Sequence, residues 1–378
     1  MKTFSKFGVQ IPEILLPKKL DLKTWAVIAC DQYTQDKDYW NRAAEIAGSA
    51  PSTLNLIFPE VNLNDSDKDA RILKIQKTMK DYLSEGIFDS EEECIYIERK
   101  TEYGRTRRGL VLAVDLEKYE WKPGSKALIR ATEATVPERI PPRMKIRSGA
   151  ALELPHIMLL ANDPDDLLVG GAEKLSKERE PVYDGDLMQN AGHITGWSLK
   201  GEAAENLLES ALSSLYKAGT DSDGNVFLFA VGDGNHSLAK AVWDEHKKNL
   251  SDSEKETSAV RFALVEIVNI YDKGLTFEPI HRVIFNQNPE KLIAFVQEKL
   301  GGEMKNFDSE KELEDFVSDK NALGARYGFI SKGKLCVLDT KITDLAIAAL
   351  QPVLDDYLDS NSKDKKNKGQ INNTEGQE

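Results

Sequence analysis

The chain alternates short apolar runs with longer segments in which apolar residues recur every three or four positions. The apolar runs have the length of buried strands and lie at residues 94–100, 109–116, 155–160, 225–231 and 261–272. Helical spacing is found in segments 66–86, 201–219, 289–300 and 344–358. Because strands and helices follow one another along the chain, the pattern predicts an α/β fold (α+β with a mixed sheet).

Weaker patterns fill the intervals between these elements. Residues 24–30 form a further apolar run that predicts a strand, followed by a loop and a helix ended by Gly48. The stretch from residue 161 to 199 is polar and Gly-rich and is interpreted as a connection. Residues 327–339 predict a hairpin that turns at Lys332 and Gly333.

Length and pattern predict one elaborated catalytic unit over residues 1–358, with a possible subdomain at 1–125 and a core at 126–358. The remaining residues, 359–378, are polar and low in complexity, so we expect a disordered tail.

Charge and cysteine content narrow the classes of function. The chain has 50 Lys and Arg against 63 Asp and Glu, a net charge of −13, which argues against binding of a nucleic-acid backbone by bulk charge. Any anion site must therefore be local. Three widely spaced cysteines make neither a disulfide framework nor a zinc knuckle, and no segment has the apolar length of a membrane helix. We expect a cytoplasmic protein without nucleic-acid or membrane partners.

The sharpest local signal is a loop directly after the run 225–231. It consists of Gly232, Asp233, Gly234, Asn235, His236 and Ser237, and a helical pattern follows it. Small residues let the backbone approach a ligand, and free N–H groups at a helix start attract phosphate. Asn235 and Ser237 can donate hydrogen bonds, His236 can shuttle a proton, and Asp233 can act as a base or bind Mg²⁺. The alternative is a tight turn with Asn or Ser as a helix cap.

A second signal is a basic segment in this acidic chain. Its residues are Arg130, Thr132, Glu133, Thr135, Arg139, Arg143 and Arg147. Arginine suits bidentate contacts to phosphate, so the four arginines and two threonines predict the cationic wall of an oligophosphate site. The alternative is a solvated basic face paired with surface carboxylates. Glu133 is either a partner of these arginines or the general base.

Two further candidates have weaker support. His281 and Arg282 interrupt an apolar strand pattern at 275–285, where a charged pair is costly to bury unless it meets an anion or carboxylate. A His281 that only donates to a backbone carbonyl is an equal alternative. Asp31 follows the predicted strand 24–30, and strand ends are the usual place for ligand groups in α/β sheets.

Four blocks together resemble the bacterial and archaeal family long labelled domain of unknown function 1015. They read AVIACDQYT, RATEATVPERIPPRMKIR, GDGNHSLAKA and LTFEPIHRV, in the order found in that family. Commoner members carry Asp-Gly-His-His-Arg where this chain has Asp233 to Ser237. That form is similar to the phosphate-binding motif of the ParB/sulfiredoxin superfamily, which includes free serine kinases. The resemblance therefore implies a ParB/sulfiredoxin-like core with large elaborations.

The activity that this resemblance implies is phosphorylation of free L-serine to O-phospho-L-serine, and some relatives use inorganic pyrophosphate instead of a nucleotide. No adenine pocket is recognised in the sequence, which favours pyrophosphate as the donor. Mg²⁺ would be the cofactor, held with the donor by the loop and the arginines. Asp233 or Glu133 would take the proton of the serine hydroxyl, and His281 or Arg282 would steady the leaving phosphate. Alternatives are a nucleotide-dependent kinase, a phosphatase of a small metabolite, or a ParB-like nucleotide-binding regulatory module.

Overall fold

The computed structural model divides into two compact units, Met1–Phe277 and Glu278–Glu378. It describes the whole chain apart from residues 19–20, 30–32, 34–35, 64, 102–103, 123, 133–139, 155–156, 235–239, 276–279, 320, 362–370 and 376–378. Of residues 140, 142, 143, 233, 280, 361 and 371–375 it describes the backbone alone.

The first unit combines short N-terminal strands and helices with a large sheet. Its strands are β1 (Thr3–Phe4), β2 (Val9–Gln10), β3 (Glu13–Pro17), β4 (Phe88–Glu92), β5 (Cys94–Lys100), β6 (Thr106–Asp115), β7 (Tyr119–Glu120), β8 (Ile129–Ala131), β9 (Ile157–Ala161), β10 (Tyr183–Asp186), β11 (His193–Leu199), β12 (Phe229–Asp233) and β13 (Phe262–Asn269). Its helices are α1 (Leu22–Trp25), α2 (Lys37–Ala47), α3 (Lys68–Ser84), α4 (Ile140–Arg147), α5 (Val169–Ser176), α6 (Gly201–Ala218), α7 (Lys240–His246) and α8 (Asp252–Thr257).

Eleven of these strands form one mixed sheet. Their order is β10-β11-β5-β6-β13-β9-β12-β8-β7, and β2 joins β1 to β6 at the side. β12 runs parallel to β8 and antiparallel to β9, whereas β9 runs parallel to β13. The predicted α/β class with a mixed sheet is confirmed.

The sheet is strongly curled. In a flat sheet β6 and β7 would lie five strand spacings apart, or about 24 Å. The chain passes from Asp115, the last residue of β6, to Tyr119, the first of β7, through one short turn at Leu116–Lys118. Four residues reach at most about 14 Å, so the strands between β6 and β7 must bend round to bring their ends together.

The two faces of the sheet pack against different elements. One face packs against α5 and α6 and forms the main core, to which alternate residues of β6, β9, β12 and β13 contribute. On the second face, Ile14 of β3 packs against Ile95 and Ile97 of β5. A further cluster joins Trp25 of α1 to α3 and to residues 150–154. The chain between α4 and β9 therefore packs against the N-terminal helices.

The second unit is a three-stranded sheet with helices and a separate strand pair. Its elements are β14 (Ile280–Ile284), α9 (Pro289–Leu300), β15 (Glu303–Phe307), α10 (Glu310–Val317), β16 (Arg326–Ser331), β17 (Lys334–Asp339), α11 (Ala346–Asn361) and β18 (Ile371–Glu375). β16 and β17 form the predicted hairpin, and both of its turn residues, Lys332 and Gly333, have positive φ. Among the described residues, no helix is both long and apolar enough to cross a membrane.

Three local predictions were wrong. The predicted strand 24–30 begins within a helix, because the Asp21 side chain caps α1 by accepting a hydrogen bond from the Lys23 N–H. The predicted connection 161–199 contains α5, β10 and β11. The strand expected at 225–231 occupies Phe229–Asp233, so the Gly-rich loop begins inside the strand.

The domain limits can be compared with the two units. The predicted division between residues 125 and 126 falls between β7 and β8, which are neighbouring strands of one sheet. The second unit begins at Glu278 instead. The last helix, α11, reaches Asn361 and so enters the segment 359–378.

A histidine clamp joins the hairpin of β10 and β11. His193 Nδ1 lies 2.8 Å from Asp186 Oδ1 and its Nε2 lies 2.7 Å from Asp184 Oδ1, so both contacts are ideal for the imidazolium. The hydrogen bonds to Asp186 and Asp184 raise the pKa of His193 above 6.5. The pKa values of both aspartates are lowered, that of Asp184 first by Thr195 and that of Asp186 first by His193.

We expect this hairpin to be most stable between about pH 4 and 6.5. The lower limit is the pKa of the aspartates in the unfolded chain, and the upper limit is that of the histidine. The stabilisation that His193 contributes is complete below pH 6.5 and is lost as the pH rises through the pKa of His193 in the folded state. The stabilisation that the two aspartates contribute is lost as the pH falls through their pKa values in the folded state. Hydrogen exchange of β10 amides across this range measures the effect. In Asp186→Asn the NMR-titrated pKa of His193 should fall, and an unchanged value would contradict the clamp.

Candidate functional site

The ends of β8 and β12 bring the two main sequence signals together. The two strands run parallel, with Val231 opposite Ala131. The segments that follow them therefore leave the sheet at the same end. There the Thr132 hydroxyl donates a hydrogen bond of 2.6 Å to the carbonyl of Val231. The Gly-rich loop and the basic segment therefore start side by side.

The backbone at the end of β12 requires glycine at two positions. The pairing with β9 skips Gly232, since Val231 lies opposite Leu159 and Asp233 opposite Met158. A Cβ atom at Gly232 would lie 2.9 Å from Leu160 Cγ. Gly234 has a φ of +84°, and a Cβ there would lie 3.3 Å from Ile157. This bulge interrupts the pairing of β12 with β9 and leaves Gly232 exposed.

The helices that follow the two segments also pack together, as α4 contacts α7. The anchor of α7 is the buried Trp243, whose Nε1 donates to Glu117 at 2.5 Å. The anchor of α4 is α3, through Lys145 and Asp69 at 2.6 Å. The predicted helix carrying Arg143 and Arg147 is confirmed, and it packs against the helix that follows the Gly-rich loop.

Arg147, at the end of α4, forms an ion pair with Glu153, a residue that the sequence analysis missed. Burial raises the pKa of the Glu153 carboxyl, although the Arg147 guanidinium and a hydrogen bond from the Leu264 backbone N–H act in the opposite direction. Its side chain keeps 36% of its surface exposed. A carboxyl of raised pKa beside an arginine is typical of functional sites as well as of structural networks.

A second ion pair lies within the large sheet. Glu266 is fully buried, and its Oε2 accepts a hydrogen bond of 2.9 Å from Arg107 Nη2. In the sheet Glu266 is paired with Met158, which is paired in turn with Asp233, so Glu266 lies two strands from the loop. The sequence feature that indicates Glu266 is its position inside the apolar run 261–272. A carboxylate there is costly to bury without a partner.

Arg130 is not brought to the loop. Its guanidinium donates to the carbonyls of Ala127 at 2.8 Å and Val226 at 3.1 Å, which precede β8 and β12. It also lies over the ring of Phe227, 4.6 Å from the centroid. Arg130 therefore stabilises the opposite ends of these strands, because it is fully engaged there by backbone and ring contacts.

His281 and Arg282 lie on β14, in the second unit. The His281 side chain is exposed, and Arg282 Nε donates to Gln351 of α11 at 3.1 Å. Burial lowers the pKa of Arg282. The structure thus gives Arg282 a neutral partner within its own unit.

Several predicted site residues fall outside the description. Asp31, Glu133, Thr135, Arg139, Asn235, His236 and Ser237 lie outside the described residues, and of Asp233 and Arg143 only the backbone is described. Within the described part, no three His, Cys, Asp or Glu side chains are grouped as ligands of a metal ion.

Fold and site together define a mixed α/β protein with a Gly-rich bulge and an arginine-bearing helix at one sheet edge. Over residues 13–357 the chain matches the model of a family described as "Protein of unknown function (DUF1015)", and it belongs to that family. The resemblance to this family is confirmed. No curated protein and no solved structure matches the chain.

Proposed function

We propose that the protein is a phosphotransferase that phosphorylates free L-serine to O-phospho-L-serine, with inorganic pyrophosphate as donor. The observation that supports it is the meeting of the Gly232–Gly234 bulge with Thr132 at the ends of parallel strands β12 and β8. Two segments that suit an anion separately thus lie at one edge of the sheet. The choice of serine and pyrophosphate rests on the family resemblance, as does a ParB/sulfiredoxin-like core.

The residues of the first unit take two roles in this proposal. Backbone N–H groups of the loop and the arginines of the basic segment, Arg139, Arg143 and Arg147, hold the donor phosphates. Asp233 or Glu133 accepts the proton of the serine hydroxyl.

The reaction requires little covalent work from the protein. The serine oxygen forms a bond to the terminal phosphorus of pyrophosphate, the bond from that phosphorus to the bridging oxygen breaks, and inorganic phosphate leaves. The hydroxyl proton passes to the carboxylate. Positioning by a rigid sheet edge is therefore the main contribution of the fold.

The described part of the protein offers Mg²⁺ fewer ligands than the ion needs, so phosphates of the donor would have to supply the others. The ion is commonly held by one or two carboxylates together with substrate phosphates, so Asp233 with the donor could hold it without a group of three protein ligands. When bound, it would neutralise charge on the phosphates. The protein residues would still position both substrates.

Incubation of the full chain with L-serine, Mg²⁺ and pyrophosphate should yield O-phosphoserine, detected by mass spectrometry or ³¹P NMR. Parallel reactions with ADP and ATP identify the donor, since product with a nucleotide alone would assign a nucleotide-dependent kinase. Release of phosphate from phosphoserine without net synthesis would indicate a phosphatase. The serine-kinase proposal is falsified if no donor yields phosphoserine.

A further inference from the structure

The ion pair of Arg147 and Glu153 lies close to the Gly-rich loop. Glu153 precedes Ile157, the first residue of β9, by four positions, and Ile157 is paired in the sheet with Val265. Ile157 is the residue that a Cβ at Gly234 would touch. Four residues of chain, which reach at most about 14 Å, thus separate Glu153 from the residue that a Cβ at Gly234 would touch.

The charged groups around this pair are largely engaged with one another. On α4 and α3, Lys145 is paired with Asp69. On β13, Glu266 is paired with Arg107. The nearest polar contribution of α3 is neutral, since Gln76 donates to the carbonyl of Ser148. Arg147 is therefore the cation that opposes protonation of Glu153, since it lowers the pKa that burial raises.

We propose that Arg147 and Glu153 form an exchangeable anion subsite, in which a phosphate group of the donor replaces Glu153 on Arg147 and Glu153 takes up a proton. This inference rests on the proposed function. The exchange moves hydrogen bonds of the guanidinium from carboxylate to phosphate oxygens. The proton comes from solvent, and no covalent bond between heavy atoms changes.

The physical reason is the change of charge around one carboxyl group. Burial already raises the pKa of Glu153, and Arg147 opposes that effect. Loss of the guanidinium and arrival of a phosphate both favour the neutral acid. Donor binding should then be coupled to uptake of a proton, and Glu153 acts as a positioning residue that presents Arg147 to the donor.

Calorimetric titration of the full chain with inorganic pyrophosphate, in buffers of different ionisation enthalpy, measures this coupling. The wild type should take up more protons per pyrophosphate than Glu153→Gln, by at most about one, because one carboxyl group is removed. The excess should also be absent in Arg147→Met, whose affinity should fall about tenfold or more. A matched control is Glu290→Gln, which removes an exposed partner of Lys334 in the second unit and should keep the wild-type value.

Circular dichroism of each variant establishes that it is folded, and Arg147→Met provides the test if Glu153→Gln does not fold. Equal proton uptake by the wild type and by the folded variants would overturn the subsite, while phosphoserine synthesis would still support the proposed function. Phosphoserine formation from a nucleotide without pyrophosphate binding would overturn the subsite and the choice of donor. Only absence of phosphoserine with every donor overturns the kinase itself.

Discussion

Gly234→Ala should reduce kcat/KM for phosphoserine synthesis by about a hundredfold, the effect of a displacement of about 1 Å in a catalytic loop. Gly234 has a φ of +84°, which strains any residue with a Cβ, and that Cβ would lie 3.3 Å from Ile157, so the backbone at Gly234 or the Ile157 side chain must adjust to accept alanine. The conformation itself costs a non-glycine residue roughly 1–2 kcal/mol. Activity with pyrophosphate and serine, measured beside thermal stability, separates the two effects.

Gly224→Ala is the matched control for this prediction. Gly224 has nearly the same φ, +82°, but a Cβ there meets nothing within 4 Å. It lies in the turn that precedes β12, where its N–H donates to the Asp221 carbonyl. This variant should lose similar stability and keep its activity. Equal loss of activity in both variants would show that Gly234 matters for folding alone.

Arg108→Met should lower the free energy of unfolding by about 3 kcal/mol, the lower end of the cost of breaking a buried ion pair. Arg108 lies on β6 and contacts three carboxylates, those of Asp166, Glu173 and Asp272, at 2.7 to 2.9 Å. The Asp272 side chain is only 2% exposed, so its charge would be left without compensation by the guanidinium. For a unit of this size the melting temperature should fall by roughly 6–12 °C.

The control for Arg108 removes a cation from the same cluster at its exposed side. Lys177 pairs with Glu173 at 2.7 Å, and 66% of its side chain is exposed. Lys177→Met should change the free energy of unfolding by less than about 1 kcal/mol. A melting temperature of Arg108→Met close to that of Lys177→Met would show that the three carboxylates do not depend on Arg108.

Several elements were predicted from the sequence because their signals are local. The helix at 289–300 begins with Asn288, which caps the N–H of Lys291, and with Pro289 in its first turn. The hairpin of β16 and β17 turns at Lys332 and Gly333, as predicted. The strands β10 and β11 were missed because they are only half-buried and contain glycine, so their polar composition resembles that of a connection.

The candidate site could be predicted only in part for a related reason. The four arginines are close in sequence, yet Arg130 lies on a strand and is held by carbonyls at the end of the sheet away from the loop. Arg147 lies on a helix that packs against α7, the helix that follows the loop. Glu153 carries no sequence signal, since its role depends on the fold between α4 and β9. Side-chain direction, not proximity in sequence, decides which of these residues reach one site.

By itself, the sequence determined the family, the α/β class and the two segments suited to an anion, because composition, periodicity and motif are properties of contiguous residues. Only the tertiary structure decided that these segments meet. Thr132 and Val231 are 99 residues apart, and their hydrogen bond depends on the parallel pairing of β8 with β12. Such pairing is set by packing of the whole sheet, which no local pattern specifies.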